Sequence, residues 1–495
     1  MSGIVKRVAV LAGLAAAGCT DSYPASLPPS DSFYFPVGIA VRQLPPASCA
    51  APATSCSALV VVSTNFDLRY DQTTGGTVLS VNPDTSTDTF DPSSPGHLDT
   101  LGFLRIGSFG GELAIAETSC PASWPSCRSG CPELAAAGLG DGVARVVTAS
   151  RADQTVYLAD MDGTGALTCG PTCPAVLSLQ SLDPYGVGLA CGSQAGVSAA
   201  SAYVSQLRAI NNQGLLTRLD LVGGAFDTVE LASPTTYTSA FDPTDGLLFL
   251  STQLGLTQPL RWFRPLLLPA VTSGASNAPA VQQVDLATDL RGTLTRDLQV
   301  SNDRTRLYVV LELFDADALA NSGVIIARGG AIGVFDLTRN SFNQPSMTLL
   351  AAVPTCLGSG QARVLPPRPL APDGHVPRDL VAVTCDVDGT LVLYDDEAGK
   401  VVDFVGLDPV TGVPLLGRQP FGLAVEPLDP SRATVSTLPD AAALGYGPSP
   451  CGAGSSCVRL YVASFEQSWV NILEMDAAQP GSLTLVKRIG MESAP

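Results

Sequence analysis

Pro36-Val37-Gly38-Ile39-Ala40-Val41, Pro184-Tyr185-Gly186-Val187-Gly188-Leu189 and Pro420-Phe421-Gly422-Leu423-Ala424-Val425 are copies of one apolar strand that opens on a proline. Each is followed by a second apolar strand. The second strands run from Leu59 to Ser63, Arg145 to Ser150, Ala202 to Gln206, Leu247 to Thr252, Arg306 to Leu311, Leu380 to Cys385 and Arg459 to Ser464. A third strand follows most of them, as in Thr77 to Val81, Leu215 to Leu221, Ala331 to Leu337, Thr390 to Tyr394 and Val470 to Met475. Helical periodicity is scarce, and short runs of Val, Leu, Ile, Tyr and Thr are broken by Gly, Pro, Asp and Asn, so the fold class is all-β. The repeat predicts a seven-bladed β-propeller with four antiparallel strands per blade. The blades are 33–109, 110–180, 181–233, 234–288, 289–354, 355–407 and 408–490, of which the second and fourth are the least regular.

A single small sheet cannot bury both its faces, whereas blades packed side by side share a continuous core and close into a ring without long exposed edges. A row of three or four β-sandwiches would need linkers. The Pro-containing stretches from Leu365 to Val376 and from Pro265 to Pro269 are too short to be linkers and fit loops between strands.

The N-terminus has another pattern. Lys6-Arg7, an apolar run from Val8 to Ala17 and then Gly18-Cys19 make the layout of a secretory leader. The apolar run is about half of the roughly 20 residues that cross a bilayer. Ala16-Ala17-Gly18-Cys19 resembles the bacterial lipobox, which implies cleavage before Cys19 and lipidation of that residue. The organisation read from the sequence is a signal peptide over 1–18, a lipidated Cys and flexible tether over 19–32, one propeller over 33–490 and a C-terminal tail over 491–495. The expected setting is the bacterial cell envelope, on the periplasmic side or the cell surface, with the membrane held through the lipid.

Formal charge is −18, and loss of residues 1–18 takes away Lys6 and Arg7 to give −20. Such a chain repels phosphate backbones, which argues against nucleic acid as a partner. Apart from Cys19, the 13 cysteines leave an even number, and in an exported chain this favours disulfides. Cys49 with Cys56, Cys120 with Cys127, and Cys451 with Cys457 are spaced as short closed loops. Cys356 with Cys385 is a looser pairing, and Cys131, Cys169, Cys173 and Cys191 stay unassigned.

The Pro-x-Gly openings and the Leu-Tyr-Val second strands resemble the YVTN/NHL-type propellers, including the lactonase-like ones. Ser63 to Tyr70 is similar to propeller lipoproteins of predatory soil bacteria of the myxobacterial type. The resemblance implies a propeller fold. Its members range from binding scaffolds to lactonases and enzymes with a haem or quinone, so it implies no single activity.

Several chemistries lack material. Covalent haem needs Cys-x-x-Cys-His, and Cys169 to Cys173 has the wrong spacing and no His. His97 and His375 are the only two histidines, each in a loop context, which leaves little for a zinc site or a Ser-His-Asp triad. The pairs Gly75-Gly76, Gly110-Gly111 and Gly329-Gly330 lack the strand-to-helix setting of a phosphate loop and read as hairpin turns.

What remains is an oxygen-ligand site for Ca²⁺ or Mg²⁺ at the channel mouth, with no cofactor firmly predicted. In the blade alignment Asn65, Asp67, Asp153, Asn211, Gln253, Asp315, Asp386 and Glu466 follow the second strands. Glu112, Arg363 and Arg418 fall near the starts of opening strands on the same face. Asn and Asp also stand at such positions because tight turns favour them. Two functions fit. One is a non-catalytic binding or interaction protein holding an envelope protein, a polysaccharide or a small ligand. The alternative is a metal-dependent, lactonase-like hydrolase whose cation polarises a carbonyl while a carboxylate activates water. The binding reading leads because no catalytic motif can be placed on particular residues.

Overall fold

The computed structural model describes residues 27–49, 55–71, 74–119, 130–140, 142–169, 175–176, 183–194, 197–208, 214–231, 235–251, 259–285, 293–322, 326–338, 347–408, 412, 414–436 and 438–490. The chain is a seven-bladed β-propeller, each blade built on four antiparallel strands in sequence order. The inner strands are Pro36–Gln43, Gly110–Glu117, Pro184–Gln194, Ser239–Asp242, Thr293–Val300, Ser359–Val364 and Pro420–Pro427. Blades 2 and 4, which break the repeat in sequence, also break it in space. In blade 2 the two-residue strands Leu167–Thr168 and Ala175–Val176 both pair with Thr155–Met161. In blade 4 the connection to the last strand sends Ser276–Asn277 to pair in parallel with Phe226–Leu231 of blade 3.

The second strand of blade 1, Ser57–Ser63, is buried along its whole length because its two faces serve different neighbours. Ala58, Val60 and Val62 pack with Leu113, Val146 and Tyr157 of blade 2. Leu59 and Val61 pack with Tyr461, Ala463 and Ile472 of blade 7. A strand covered on both faces reads as a continuous apolar run rather than an alternation. Each such aliphatic side chain contributes about 1.5–3 kcal/mol when fully buried.

The ring closes without strand exchange, since blade 7 is made wholly of residues 420–490. Blade 1 reaches across instead. Asp88 bridges to Ile489, and Thr89 N–H donates to the Arg488 carbonyl at 2.9 Å. Arg459, 1% exposed, donates to Asp84 of blade 1 and to Glu474 of its own blade. Arg432 pairs with the same Asp84 and with Glu426. Burial raises the Asp84 carboxyl, but Arg459 and Arg432 outweigh it and hold the group below the usual carboxylate range.

Cys49 is bonded to Cys56, Cys356 to Cys385, and Cys131 to Cys191. Cys451 and Cys457, expected to pair, stand instead as buried thiols beside Leu428. The Cys451 thiol is turned toward the Met475 carbonyl, 3.5 Å away. Burial pushes both thiols up. Cys120, Cys127 and residues 1–26, including the leader and Cys19, lie outside the described residues. Among the described residues no helix is long and apolar enough to cross a membrane.

Candidate functional site

Each inner strand has one hydrogen-bonded neighbour, so its other edge turns backbone N–H and C=O groups toward the axis. In six blades this strand carries a register shift at its start, as between Pro36 and Gly38 or between Ser359 and Ala362. The residue at this bulge is the third counted from Pro36, Gly110, Pro184, Thr295, Ser359 or Pro420. It is Gly38, Glu112, Gly186, Asp297, Gln361 or Gly422, and Thr238 takes the place in blade 4. The match is seen in shared partners: Gly186, Thr238 and Gln361 donate their N–H groups to the hydroxyls of Ser205, Ser251 and Thr384 that end the second strands.

Where this residue is glycine, neighbouring blades touch through backbone. A Cβ on Gly186 would stand 2.2 Å from the Tyr237 carbonyl oxygen, and one on Gly38 would stand 2.7 Å from that of Gly111. Where it is not glycine, its side chain fills the axis. Gln361 Nε2 donates to Glu112 Oε1 at 3.0 Å, joining blade 6 to blade 2, and Gln361 Oε1 accepts the Leu423 N–H of blade 7 at 3.0 Å. Asp297 Oδ2 accepts from the Ala362 N–H and from Arg363, both at 2.9 Å. Glu112, Asp297 and Gln361 are all buried. They form a polar floor across the channel.

A cavity of about 170 Å³ lies on the trailing side of this floor. Its walls include Val41, Ile115, Leu189, Phe241, Val300 and Val425, one from each of six inner strands. Glu112, Asp297, Arg363 and Thr238 also line it. Ser239, Gln299, Ser301 and Arg304 line it as well, so apolar walls face a substantial set of polar groups, and a concave site that combines the two is the usual form of a small-molecule site.

On the leading side of the floor, Tyr185 and Tyr237 stand with ring centroids 4.8 Å apart. The Arg296 guanidinium lies 5.5 Å from the centre of the Tyr237 ring and pairs with Glu312. Burial pushes the Tyr237 phenol up to about 12 and that of Tyr185 well above its ordinary value, so both stay protonated. Burial also pushes the Asp386 carboxyl up to about 6, while Arg296 draws it down and Glu312 adds to the rise. Its Oδ1 is buried with no hydrogen-bond partner among the described residues.

Of the residues singled out in sequence, Glu112 and Arg363 belong to the floor, and Asp386 belongs to the leading-side cluster. The others are placed elsewhere. Asn65 closes its own turn by bonding Tyr70 and also reaches Ser108, and Asp153 accepts from Tyr157. Asp67 pairs with Arg69, and Glu466 with Arg418, at the surface around the aromatic group Phe35, Phe66, Phe109 and Phe465. Asp315 caps the helix Ala316–Ser322 and pairs with Arg328. Asn211 and Gln253 lie outside the described residues. His97 and His375 are exposed. Gly110 and Gly111 open an inner strand, and Gly329 and Gly330 lie within the strand Ala327–Asp336, so neither pair is a hairpin turn.

Asp297, Gln361, Tyr185, Tyr237, Arg296 and Glu312 escaped the sequence reading. A signal for Asp297 and Gln361 existed: they break the Pro-x-Gly repeat at its glycine. Cys131, Glu133 and Cys191 bring three ligand atoms within 4.8 Å, but the two sulfurs are bonded to each other and are not thiolates.

The fold and this channel define a seven-bladed propeller with a floored axial cavity. No family model matches the chain, and no curated protein matches it. Similar solved structures include hydrazine synthase of Kuenenia stuttgartiensis, at 9% identity over 92% of this chain and 99% of that one, with a TM-score of 0.49. A functionally unknown protein of Desulfotomaculum acetoxidans is similar at 12% identity over 78% and 88%, TM-score 0.42. A periplasmic gluconolactonase of Pseudomonas aeruginosa is similar at 14% identity over 68% and 93%, TM-score 0.33. At these identities none brings an activity to this chain.

Proposed function

We propose that this chain is an exported protein of the cell envelope, anchored through lipidated Cys19, that binds a small ligand in its axial cavity without catalysis. The floored cavity carries this reading. Walls of branched aliphatic side chains and free strand edges meet a fixed set of polar groups, which suits recognition by shape and a few hydrogen bonds. The leader-like N-terminus and the disulfides Cys49–Cys56, Cys131–Cys191 and Cys356–Cys385 support the exported setting.

The hydrolase alternative needs carboxylates free to converge on a cation and a water. Asp297 is instead paired with Arg363, and Glu112 is engaged by Gln361, which favours binding. The test is thermal unfolding of the full chain with a panel of small ligands and, separately, with Ca²⁺ or Mg²⁺ plus lactones, because a ligand that binds only the folded state raises its stability. A saturable rise with an organic ligand and no turnover supports the proposal. Lactone hydrolysis that depends on the cation would replace it with the hydrolase. Fatty-acid labelling abolished by Cys19→Ser tests the anchor.

A further inference from the structure

We infer that the leading face of the propeller rests on the lipid surface through the aromatic patch of Phe35, Phe66, Phe109 and Phe465, which leaves the axial cavity turned toward the aqueous side. This rests on the proposed anchor at Cys19. Phe66 lies at the centre of the patch, its ring centroid 5.2 Å from Phe465, 6.0 Å from Phe35 and 6.3 Å from Phe109. It is nonetheless 57% exposed, and Leu68 is 44% exposed. Phe35 and Phe109 precede inner strands, and Phe66 and Phe465 follow second strands, so all four stand at the leading end of blades 1, 2 and 7. A contiguous apolar patch on an otherwise polar rim marks an interaction site.

The backbone is held for this patch. The residue before the inner strand is left-handed in five blades, at Phe35 (φ 44°), Phe109 (58°), Asp183 (67°), Gly358 (73°) and Gln419 (53°). Glycine adopts that conformation freely, whereas a bulky side chain is an outlier there. The two aromatic residues among the five belong to adjacent blades, and both rings touch Phe66. Strain kept in an exposed cluster points to function rather than packing.

Chain reach selects the occupant. The Ser30 carbonyl accepts from Thr100 of the outer strand of blade 1 at 3.5 Å, and Phe33 is buried among Leu59 of blade 1 and Ile489 of blade 7. Two residues later Phe35 joins the patch, so the chain follows the seam between blades 1 and 7 to the aromatic rings. Cys19 stands eight residues before Leu27, a reach of at most about 28 Å. A bilayer that holds its lipid is therefore close to this seam, and a second contact turns marginal lipid attachment into stable docking. Arg69 lies 5.7 Å from the centre of the Phe35 ring, and Arg418, 74% exposed, pairs loosely with Glu466 at 3.7 Å. A phospholipid headgroup carries a phosphate and an ammonium and offers partners to both members of such pairs.

The test is Trp fluorescence of the full chain, as exported, on phosphatidylcholine vesicles with and without brominated acyl chains, which quench a Trp in contact with them. Phe66→Trp reports on the patch. Val376→Trp, at a position 69% exposed in a loop of the opposite face, is the control. With the emission of the wild type subtracted, brominated lipid should at least halve the signal of Phe66→Trp and leave that of Val376→Trp unchanged. Leu68→Asp added to Phe66→Trp should restore at least half of the lost signal, because a carboxylate resists entry into lipid. Equal quenching at the two positions, or none at Phe66→Trp, overturns the docking. Fatty-acid labelling of Cys19, read on the same samples, separates the two readings. Labelled protein with unquenched Phe66→Trp keeps the anchor and removes the patch, whereas quenching without labelling keeps the patch and removes the anchor.

Discussion

Glu112 and Gln361 meet across the axis of the ring, Nε2 of one donating to Oε1 of the other at 3.0 Å although 249 positions separate them in sequence. Their blades are nearly opposite each other, so this bond spans the channel and fixes where the floor lies. Glu112→Ala leaves the buried Gln361 amide without its acceptor and should lower stability by about 1–3 kcal/mol. Glu112→Gln retains an oxygen at that place and should cost under about 1 kcal/mol. Urea unfolding midpoints read the difference. An Ala variant as stable as the Gln variant would mean that the bridge is not what holds the floor.

The same pair shows what the sequence made legible. The propeller could be read because the opening strands repeat Pro-x-Gly and the second strands are apolar throughout. Both features follow from blades that touch backbone to backbone and bury two faces. Glu112 was visible as a polar residue at the start of an opening strand. Gln361 and Asp297 replace the glycine of the same repeat, but residue type alone does not tell a polar side chain that meets the axis from a solvated one. Their meaning comes from the ring, which brings residues of opposite blades together. Asn65, Asp153 and Asp315 illustrate the converse error, since turn and cap chemistry uses the same residue types as a ligand site. Ser276–Asn277, which crosses from blade 4 to blade 3, had no periodicity to reveal it in two residues.

Arg459 should be a principal support of ring closure. Its side chain is 2% exposed, and its partners Glu474 and Asp84 belong to blade 7 and to the loop from blade 1. Arg459→Met leaves Glu474, itself fully buried, with its nearest cation gone. Breaking one partner of a buried pair costs about 3–5 kcal/mol. Arg418→Ala removes an exposed pair with Glu466 and should cost about 0–1 kcal/mol. Comparable losses in the two variants, measured by chemical unfolding, would show that the closure network is not tighter than a surface pair.

Stability should rise as the medium is taken from neutral to about pH 5. Burial pushes Asp379 up to about 6, against hydrogen bonds from Asn302, while the neighbouring Asp303 adds to the rise. Asp386 is likewise at about 6 through burial. Their unfolded values are near 3.9, so between roughly pH 4 and 6 the folded state binds more protons than the unfolded one. The contribution is therefore fully present below the unfolded value and is lost as pH rises through 6. About two units per group corresponds to roughly 3 kcal/mol at most for each. Asp84, Asp162 and Asp303 lie below the usual carboxylate range and act in the opposite sense, losing their contribution in stronger acid. The optimum should lie on the acid side of neutrality. In Asp379→Asn the slope between pH 5 and 7 should fall by about half, as read by unfolding at each pH. An unchanged slope would place the titrating group elsewhere.

The Cys131–Cys191 bond should stabilise the ring more than Cys49–Cys56 does, and the reason is chain length. The first closes a separation of 60 residues and the second a separation of 7. On the loop-entropy account these correspond to about 4 and about 2 kcal/mol at 25 °C. Position adds to the difference. Cys191 lies on the wall of the axial cavity beside Gly130, and Cys131 is fully buried against blade 3, so this bond ties an insertion of blade 2 to the next inner strand. Cys49 and Cys56 only close a loop before one strand of blade 1. Replacing each pair by Ala and comparing thermal midpoints tests the order. The Cys131/Cys191 double variant should lose more stability and also weaken binding of any ligand that fills the cavity, whereas the Cys49/Cys56 variant should leave binding alone. A larger loss from the short loop would mean that unfolded-state entropy does not govern these bonds. Intact binding after removal of Cys131 and Cys191 would separate the insertion from the site.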